Sequence, residues 1–326
     1  DIAGAGYDVV LVDRLPSIGG RMHQLSETFP TLDCAQCILT PRTVEVGHHE
    51  RIHLYTYSEI QAVEGEVGDF RVLIRRRAAY VDWEKCTGCG LCQEKCPRKV
   101  PADFERGLGV RKAIYTLSPQ AVPNKPVIDR EHCIFFQRGK CGACEKLCPV
   151  GAIAFDQQEQ IVEERVGAII VATGYELYGL ENMPEYGGGR VPDVIDALAF
   201  ERLLSSSGPT GGQIRRPSDG KVPQELVLIQ CAGSRDPEKH LPYCSKICCM
   251  YTAKQVQVIK TLAPDLDVTV FFMDVRAHGK DFDQYFDRVE ASPGVSYRRA
   301  MVSSIHDYKQ TGDLRLNFVS EDGNVH

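Results

Sequence analysis

Twelve of the 14 cysteines in this 326-residue chain fall into three sets of four, and their spacing constrains the fold more than any other feature. The three sets, in chain order, are Cys86, Cys89, Cys92 and Cys96; Cys133, Cys141, Cys144 and Cys148; and Cys231, Cys244, Cys248 and Cys249. Short gaps of this kind let several thiolates reach one iron–sulfur cluster from a single loop. A chain built around three such sets is expected to carry electrons.

The first two sets have the spacing of bacterial two-cluster ferredoxins. Gaps of two, two and three residues precede a Cys-Pro pair in the first set, and the second set also ends in Cys-Pro. In this pattern the fourth cysteine of each run binds the other cluster. We therefore predict one [4Fe–4S] cluster on the cluster I cysteines, which are Cys86, Cys89, Cys92 and Cys148. We predict a second on the cluster II cysteines, which are Cys133, Cys141, Cys144 and Cys96. The alternative is a pair of zinc sites, which also use CxxC pairs but do not require two interlocked runs.

Composition and charge argue against several classes of protein. The formal net charge is -6 and no basic stripe is evident, so nucleic acid is not an expected partner. No apolar run approaches the roughly 18 residues needed to cross a bilayer, and no signal peptide is expected. Cysteines grouped as metal ligands rather than as disulfide pairs indicate a reducing, cytoplasmic location. Four lysines near the first two sets are expected to offset the negative charge of the clusters: Lys85, Lys95, Lys140 and Lys146.

The N-terminal residues predict part of a nucleotide-binding α/β unit. Residues 7–13 form an apolar run that closes on Asp13, like the second strand of a Rossmann unit, whose terminal carboxylate binds the adenosine ribose. The first strand and its glycine-rich loop are expected upstream of residue 1. The turn at Gly19, Gly20 and Arg21 resembles the second nucleotide-binding element of glutathione-reductase-type flavoproteins. Together with Asp13 and its neighbour Arg14, these are predicted FAD-binding residues; a solvated strand end is the alternative for Asp13.

A third flavin element is predicted near the middle of the chain. Residues 166–175 are typical of a buried parallel strand ending in Ala172, Thr173 and Gly174, and the same flavoproteins use such a segment to return the chain to the FAD domain. Strands are also predicted over 52–60 and 70–75, and residues 157–164 would complete a small meander. Farther along, an amphipathic helix is predicted over 193–204 and a long Ser-, Gly- and Pro-rich loop over 205–220.

The third cysteine set, the cluster III cysteines, lies in a second predicted Rossmann-like unit. Strands are predicted at 226–230 and 268–272, the latter leading to Asp274, with a helix over 250–262 between them. Where a pyridine-nucleotide domain has its glycine-rich phosphate loop, this chain has Cys231 and, four residues later, Arg235. Adjacent helical residues diverge by about 100°, so Cys248 and Cys249 are expected in an irregular turn before the helix. We predict a third [4Fe–4S] cluster here; buried free cysteines are the alternative.

The predicted fold class is therefore α/β. It comprises two Rossmann-like flavoprotein units of the glutathione- and thioredoxin-reductase type and an inserted α+β ferredoxin domain with two [4Fe–4S] clusters. The predicted domains are 1–79 with 157–189 for FAD, 80–156 for the inserted ferredoxin domain, and 190–326 for the second Rossmann-like unit.

Taken together, these motifs resemble the A-type subunit of heterodisulfide reductase. The segment 33–41, the ferredoxin-like segment and the run 243–249 carry the resemblance, which covers nearly the whole chain. It implies an FAD that bifurcates electron pairs, sending one electron to ferredoxin and one to a disulfide-reducing or other catalytic subunit. It also implies a hetero-oligomer with B- and C-type subunits and a hydrogenase or dehydrogenase as electron donor. Further ferredoxin clusters are expected beyond residue 326.

The resemblance implies roles for three more residues. Lys254 matches a lysine expected near the isoalloxazine ring, where a cation would stabilise reduced, anionic flavin; an exposed helix lysine is the alternative. Cys34 and Cys37 form a half-site with three open interpretations: ligands of a fourth cluster, a redox dithiol near the flavin, or structural residues.

Two other functions stay open at this point. One is a non-bifurcating FAD and iron–sulfur relay, such as a quinone-linked or aromatic-ring-reducing complex would use. The other is a pyridine-nucleotide oxidoreductase resembling the small subunit of glutamate synthase. That function predicts a glycine-rich loop after Ile229, close to where Cys231 stands, and ferredoxin clusters ahead of the FAD domain.

Overall fold

The computed structural model describes residues 1–320 and 322–326. Its contacts divide the chain into two compact units. The N-terminal unit comprises Asp1–Gln24 and Ala35–Gly174, and the C-terminal unit comprises Leu25–Cys34 and Tyr175–His326. These units do not follow the three predicted domain boundaries, which stay a prediction. None of the helices in the described residues is long and apolar enough to span a membrane.

The N-terminal unit contains nine strands and four helices among its described residues. The strands are β1 (Val9–Val12), β2 (Ile52–Tyr55), β3 (Ser58–Glu66), β4 (Asp69–Arg76), β5 (Lys99–Pro101), β6 (Val110–Lys112), β7 (Ile114–Tyr115), β8 (Val127–Ile128) and β9 (Gln160–Val166). The helices are α1 (Ala35–His48), α2 (Leu91–Lys95), α3 (Ile134–Arg138) and α4 (Ala143–Lys146). A single 3₁₀ turn, Gly20–Gln24, contains most of the predicted Gly-Gly-Arg element.

The predicted N-terminal strand is present as β1, which pairs in parallel with β2. Asp13 follows β1 directly, and its backbone N–H donates to the carbonyl of Tyr55 at 2.9 Å. The strand predicted over 52–60 is split into β2 and β3, because Tyr57 between them has a left-handed φ of 53°. Such a φ interrupts the extended backbone that a continuous strand requires.

The predicted meander is the antiparallel sheet β3-β4-β9. Strand β4 pairs with β9 from Phe70 opposite Val166 to Arg76 opposite Gln160. The chain therefore leaves this sheet after β4 and returns to the adjacent strand, and the first two cysteine sets lie in the excursion between them. The excursion has its own apolar core, which includes Val81, Ile114 and Ile128, each at most 2 % exposed.

The buried parallel strand predicted over 166–175 is wrong in this structure. Strand β9 ends at Val166, and residues 168–175 have no regular secondary structure. A buried strand needs a hydrogen-bonding neighbour, and no strand of the described residues pairs with this segment. The apolar side chains of Ile170 and Val171 are consequently 71 % and 78 % exposed.

The C-terminal unit contains a β-α-β-α-β arrangement followed by a hairpin. Its elements are α5 (Ala197–Leu204), β10 (Glu225–Ile229), α6 (Cys248–Leu262), β11 (Asp267–Phe272), α7 (Phe282–Glu290), β12 (Val295–Arg299), β13 (Met301–Tyr308) and β14 (Asp313–Val319). Strands β10, β11 and β12 are parallel and adjacent in that order. The interior side of α6 is apolar, with Ala253, Val256 and Ile259 fully buried. Description of this unit as Rossmann-like stays a prediction.

Two helix predictions need correction. Helix α5 begins after Asp196, whose side chain accepts a 2.7 Å hydrogen bond from the N–H of Ala199, a cap worth about 1 kcal/mol. The helix is not amphipathic in burial, because Glu201 and Arg202 are buried along with its apolar residues. Helix α6 begins at Cys248, two residues earlier than predicted, so both adjacent cysteines lie in its first turn. The predicted loop over 205–220 contains no helix or strand.

Candidate iron–sulfur and flavin sites

The four cluster II cysteines line one cavity. Cys96 comes from the first run in the sequence, yet it lies on the same cavity wall as Cys133, Cys141 and Cys144. The remaining lining is largely apolar and includes Ile114, Ile128, Phe135 and Phe155. The rings of Phe135 and Phe155 stack with centroids 3.8 Å apart. This arrangement offers four thiols around an interior space, which is the donor set of a [4Fe–4S] cluster.

Local structure explains how the cluster II thiols reach this cavity. Cys133 precedes α3, and its backbone N–H donates to the carbonyl of Asp129 at 2.9 Å. Cys141 has an unusual φ of 118°, which turns the chain sharply before α4. Cys144 lies in α4, where burial raises the pKa of its thiol to about 12. Without positive charge nearby, this thiol would therefore stay protonated, and cluster iron would supply that charge.

Three of the four cluster I cysteines contact the same small core as three of the cluster II cysteines do. Cys86, Cys92 and Cys148 all pack against it. The N–H of Gly88 donates to Sγ of Cys86 at 3.4 Å, and the N–H of Ala152 donates to Sγ of Cys148 at 3.2 Å. Such bonds stabilise a ligating thiolate. Burial, together with smaller contributions from Cys86 and Cys89, raises the pKa of Cys92 to about 11.

Two lysines that hydrogen-bond the backbone of these cysteines were not among those singled out in the sequence. Lys85 forms an ion pair with Asp82 at 2.8 Å, and Lys95 pairs with Glu94 at 2.6 Å. Lys112 instead donates to the backbone carbonyl of Cys96 at 2.5 Å. Lys125 donates to the carbonyl of Cys86 in the same way. No spacing rule predicts these two contacts, because both lysines are more than ten residues from their partners in the sequence.

The cluster III cysteines meet where β10 ends and α6 begins. Cys231 follows β10 with a left-handed φ of 58°. The side chain of Cys248 hydrogen-bonds those of Cys231 and Cys249, and these two donors lower the pKa of Cys248. Cys244 lies in the loop before α6, where the N–H of Lys246 donates to its Sγ at 3.3 Å. The contact among three thiols supports a shared cluster more than it supports isolated buried cysteines.

An arginine and an aspartate lie against the cluster III cysteines. The guanidinium of Arg235 hydrogen-bonds the side chain of Cys231 and forms an ion pair with the carboxylate of Asp274. Asp274 follows β11, the position at which a pyridine-nucleotide domain commonly presents an acid to the ribose. Here the carboxylate of Asp274 forms an ion pair with Arg235, which lies four residues after Cys231.

A single metal ion makes a different demand on the side chains of residues 1–320 and 322–326 than an iron–sulfur cluster does. No three His, Cys, Asp or Glu side chains in those ranges converge closely enough to hold a single metal ion. A [4Fe–4S] cluster has a different requirement, because each of its four thiolates binds a different iron.

The predicted FAD-binding residues lie after β1. The carboxylate of Asp13 accepts a 2.8 Å hydrogen bond from the N–H of Leu15. Burial raises the pKa of Asp13, although that bond and the charge of Arg14 lower it. Gly19 and Gly20 both have positive φ, and no atom lies within 4 Å of a Cβ built on Gly20. Arg21 donates to Oε1 of Gln24 at 3.1 Å. The uncovered glycine backbone fits close approach by a dinucleotide.

The third predicted flavin element, residues 172–174, lies in an exposed segment without regular secondary structure. Ala172, Thr173 and Gly174 are all exposed and lie outside any strand. Gly174 has a φ of 74° with no neighbouring atom within 4 Å of an added Cβ. Their predicted role in FAD binding is untested by this geometry, whereas the buried strand expected to carry them is absent from the described residues.

Lys254 is buried, so the alternative of an exposed helix lysine is wrong. It is 2 % exposed and forms an ion pair with Glu201 of α5. Glu201 also accepts hydrogen bonds from Gln255 Nε2 at 2.7 Å, and from the N–H and hydroxyl of Ser26 at 3.0 and 2.8 Å. Glu201 was not among the predicted site residues. Its signal was that two charged residues, Glu201 and Arg202, interrupt an otherwise apolar helix, but the partner 53 positions away has no local signature.

Cys34 and Cys37 lie at the start of α1. Cys34 immediately precedes the helix and Cys37 lies in its first turn, and both side chains are exposed. Their role as ligands of a fourth cluster, as a dithiol or as structural residues stays open.

Comparison with known proteins agrees with this geometry. The family model described as a 4Fe-4S binding domain matches residues 79–101, which contain the first cysteine set. The chain is 44 % identical over 99 % of its length to the A-type subunit of H(2):CoB-CoM heterodisulfide,ferredoxin reductase of Methanothermobacter marburgensis, covering 48 % of that protein. It is 48 % identical over 96 % of its length to the second A-type iron-sulfur subunit of CoB--CoM heterodisulfide reductase of Methanopyrus kandleri, covering 47 % of it.

A third relative is named for dependence on ferredoxin and F(420)H(2). It is the A-type subunit of Ferredoxin/F(420)H(2)-dependent CoB-CoM heterodisulfide reductase of Methanosarcina acetivorans, 41 % identical over 94 % of the chain and 38 % of the relative. The chain thus spans about half the length, or less, of the curated relatives it matches. By this similarity along nearly its whole length, the chain belongs to the A-type subunit family of heterodisulfide reductases.

Proposed function

We propose that this chain is the electron-transfer part of an oxidoreductase subunit, holding FAD and three [4Fe–4S] clusters in a heterodisulfide-reductase-like complex. The observation that carries the proposal is the cavity on which Cys96 joins Cys133, Cys141 and Cys144. That combination is the interlocked ligand set of a two-cluster ferredoxin. The 4Fe-4S family match over residues 79–101 supports it independently.

The chain's own residues supply sites and electrostatics, and the cofactors supply the redox chemistry. When bound, FAD accepts two electrons and releases them singly. The Gly19–Gly20 turn and Asp13 are proposed to hold its nucleotide part, with Arg14, Arg21 and the segment 172–174 contributing. Lys254 is proposed to stabilise negative charge on the reduced flavin. Its burial and its ion pair with Glu201 support a defined electrostatic role rather than a solvated one.

We further propose that the flavin bifurcates electrons. Names of relatives support this, since the Methanothermobacter marburgensis protein is named for both a heterodisulfide and ferredoxin. A relative of Methanococcus maripaludis, 44 % identical, is named as the A-type subunit of an H(2)/formate:CoB-CoM heterodisulfide,ferredoxin reductase. The proposed partners are ferredoxin, disulfide-reducing subunits of B and C type, and a hydrogenase or dehydrogenase that supplies electron pairs.

Two alternatives carry different expectations. A non-bifurcating relay would use the same cofactors, so only flavin energetics separates it from the proposal. A pyridine-nucleotide oxidoreductase requires an open phosphate loop and a free ribose-binding acid in the C-terminal unit. Cys231 stands where the phosphate loop would begin, and the carboxylate of Asp274, the candidate ribose-binding acid, is paired with Arg235. Both observations disfavour a pyridine-nucleotide oxidoreductase.

The experiment is an anaerobic redox titration of the bound FAD, in the full chain with its partner subunits. Bifurcation requires the second electron to leave at a much lower potential than the first, so little one-electron-reduced flavin should accumulate at equilibrium. Extensive accumulation between closely spaced potentials would support the relay instead. Lys254→Met should lower the potential of the flavin. Lys260→Met on the same helix is the control, because Lys260 donates to the carbonyl of Leu266 at 2.9 Å and has no proposed flavin role.

A further inference from the structure

The ion pair at the cluster III cysteines brings together two charges of opposite sign, the guanidinium of Arg235 and the carboxylate of Asp274. Arg235 donates to the side chain of Cys231 directly and to the carboxylate of Asp274. Asp274 reaches the same site from β11, where its backbone oxygen lies 3.8 Å from Sγ of Cys249. A second arginine, Arg276, lies with its Nε 3.5 Å from the other carboxylate oxygen of Asp274.

The loop that carries Arg235 is fixed by its own backbone. The N–H of Ser234 donates to the carbonyl of Cys231 at 2.9 Å, closing a turn that starts at the cysteine. The N–H of Arg235 donates to the carbonyl of Tyr243 at 3.1 Å, and the N–H of Leu241 donates to Gly233 at 3.2 Å. Arg235 itself holds a left-handed φ of 62°. These contacts hold the guanidinium beside the thiol instead of leaving it in solvent.

A charge in this position acts on any cluster that the thiols hold. Reduction adds one negative charge to an iron–sulfur cluster, and cluster potentials depend on net charge, hydrogen bonds to sulfur and solvent exposure. A guanidinium is permanently cationic and its hydrogen bond to a thiolate strengthens as negative charge increases. The side chain of Arg235 is only 26 % exposed, so solvent screens it partly.

We propose that Arg235 and Asp274 set the reduction potential of the cluster III site with opposite signs. Arg235 raises the potential by favouring the reduced cluster, and Asp274 lowers it by offsetting that cation and adding negative charge nearby. This inference rests on the proposed [4Fe–4S] cluster at Cys231, Cys244, Cys248 and Cys249. It assigns both residues a positioning and electrostatic role, separate from ligation.

The test is an EPR-monitored redox titration of the cluster III signal in the full chain, with iron content measured for every variant. R235Q should lower the midpoint potential and D274N should raise it. Each should change the equilibrium constant for reduction of that cluster by tenfold or more, which is ~59 mV for a one-electron couple. The double variant R235Q/D274N should return close to the wild-type potential. R235K keeps the positive charge but loses the planar guanidinium with its several N–H donors, so it should shift the potential less than R235Q does. It replaces R235Q in the test if R235Q does not fold.

The Arg216–Asp219 ion pair provides matched controls. It lies in the same unit and has no cysteine contact, so R216Q and D219N should leave the cluster III potential unchanged. Shifts of the same sign in R235Q and D274N, or no shift in either, overturn the inference and identify a merely structural pair. Iron missing from the cluster III site of the wild-type chain overturns the proposed cluster itself. Iron present with unmoved potentials overturns only the electrostatic role.

Discussion

Neutralising Glu201, the buried partner of Lys254, should lower the free energy of unfolding far more than neutralising a glutamate in an exposed ion pair. In Glu201→Gln the carboxylate is replaced by an amide of the same shape, and the ammonium of Lys254 is left charged in an interior where it is 2 % exposed. Removing one member of a buried ion pair costs about 3–5 kcal/mol, because the remaining charge is uncompensated. For a unit of 150–250 residues, each kcal/mol lowers Tm by about 2–4 °C, so a loss of roughly 6–20 °C is expected.

The matched control is Glu163→Gln. Glu163 also pairs with a cation, Arg71 at 2.8 Å, but both side chains are 43 % exposed. Exposed ion pairs contribute at most about 1 kcal/mol, so this change should be nearly neutral. The double variant E201Q/K254M removes the stranded cation and should recover part of the loss, since no buried charge is then left unpaired.

The assay is urea unfolding of the cofactor-loaded chain, followed anaerobically by circular dichroism. This account of the buried pair would be refuted if E201Q and E163Q lowered the free energy of unfolding by the same amount. It would also be refuted if the double variant E201Q/K254M were less stable than E201Q alone. Flavin content measured on the folded variants separates the stability effect from the role proposed for Lys254 at the flavin.

Three other changes have defined outcomes. Cys96→Ser should remove one ferredoxin-type cluster and leave the other, because Cys96 lines the cluster II cavity; iron analysis and EPR check this, and loss of both or neither contradicts the assignment. Gly20→Ala should lose FAD, because its Cβ would occupy the space proposed for the dinucleotide, while the left-handed φ of 50° adds only about 1 kcal/mol of backbone strain; unchanged flavin content in the folded variant contradicts the proposed approach. Arg216 lowers the pKa of Asp219 from 3.8 to about 2, so the pair stabilises the fold above pH 3.8 and this contribution is lost as the pH falls toward 2. An NMR titration of Asp219 should show this pKa, and R216Q should raise it part of the way toward its ordinary value, because the N–H and the charge of Lys221 continue to lower it.

Much of the architecture could be predicted because its signals are local. The apolar runs at β1, β10 and β11 gave strands in the expected places, since alternation and length are properties of consecutive residues. The spacing of the two runs predicted that Cys96 would lie with the second run, and Cys96 lines the same cavity as Cys133, Cys141 and Cys144. Cysteine runs predict ligand sets across the chain because a shared cluster fixes which thiols must meet.

Other features depended on contacts that no local pattern contains. Residues 168–175 have the composition of a buried strand, but a strand's burial is decided by a neighbour, and none of the described strands pairs with them. Glu201 and Lys254 are 53 residues apart, and Arg235 and Asp274 are 39 apart, so neither ion pair has a sequence signature. The start of α6 was misplaced because the divergence of adjacent helical residues was taken to exclude a shared contact. Cys248 nevertheless contacts both Cys231 and Cys249 from the first turn.

Iron and sulfide analysis combined with Mössbauer spectroscopy tests the central claim most directly. The chain, prepared anaerobically with ⁵⁷Fe, should contain about twelve iron and twelve sulfide ions in [4Fe–4S] form. The variant C231A/C244A should lose about four of each, with the signals of the other two clusters intact. Zinc in place of iron, or an iron content that the C231A/C244A change leaves unaltered, would contradict the assignment of the three cysteine sets to three clusters.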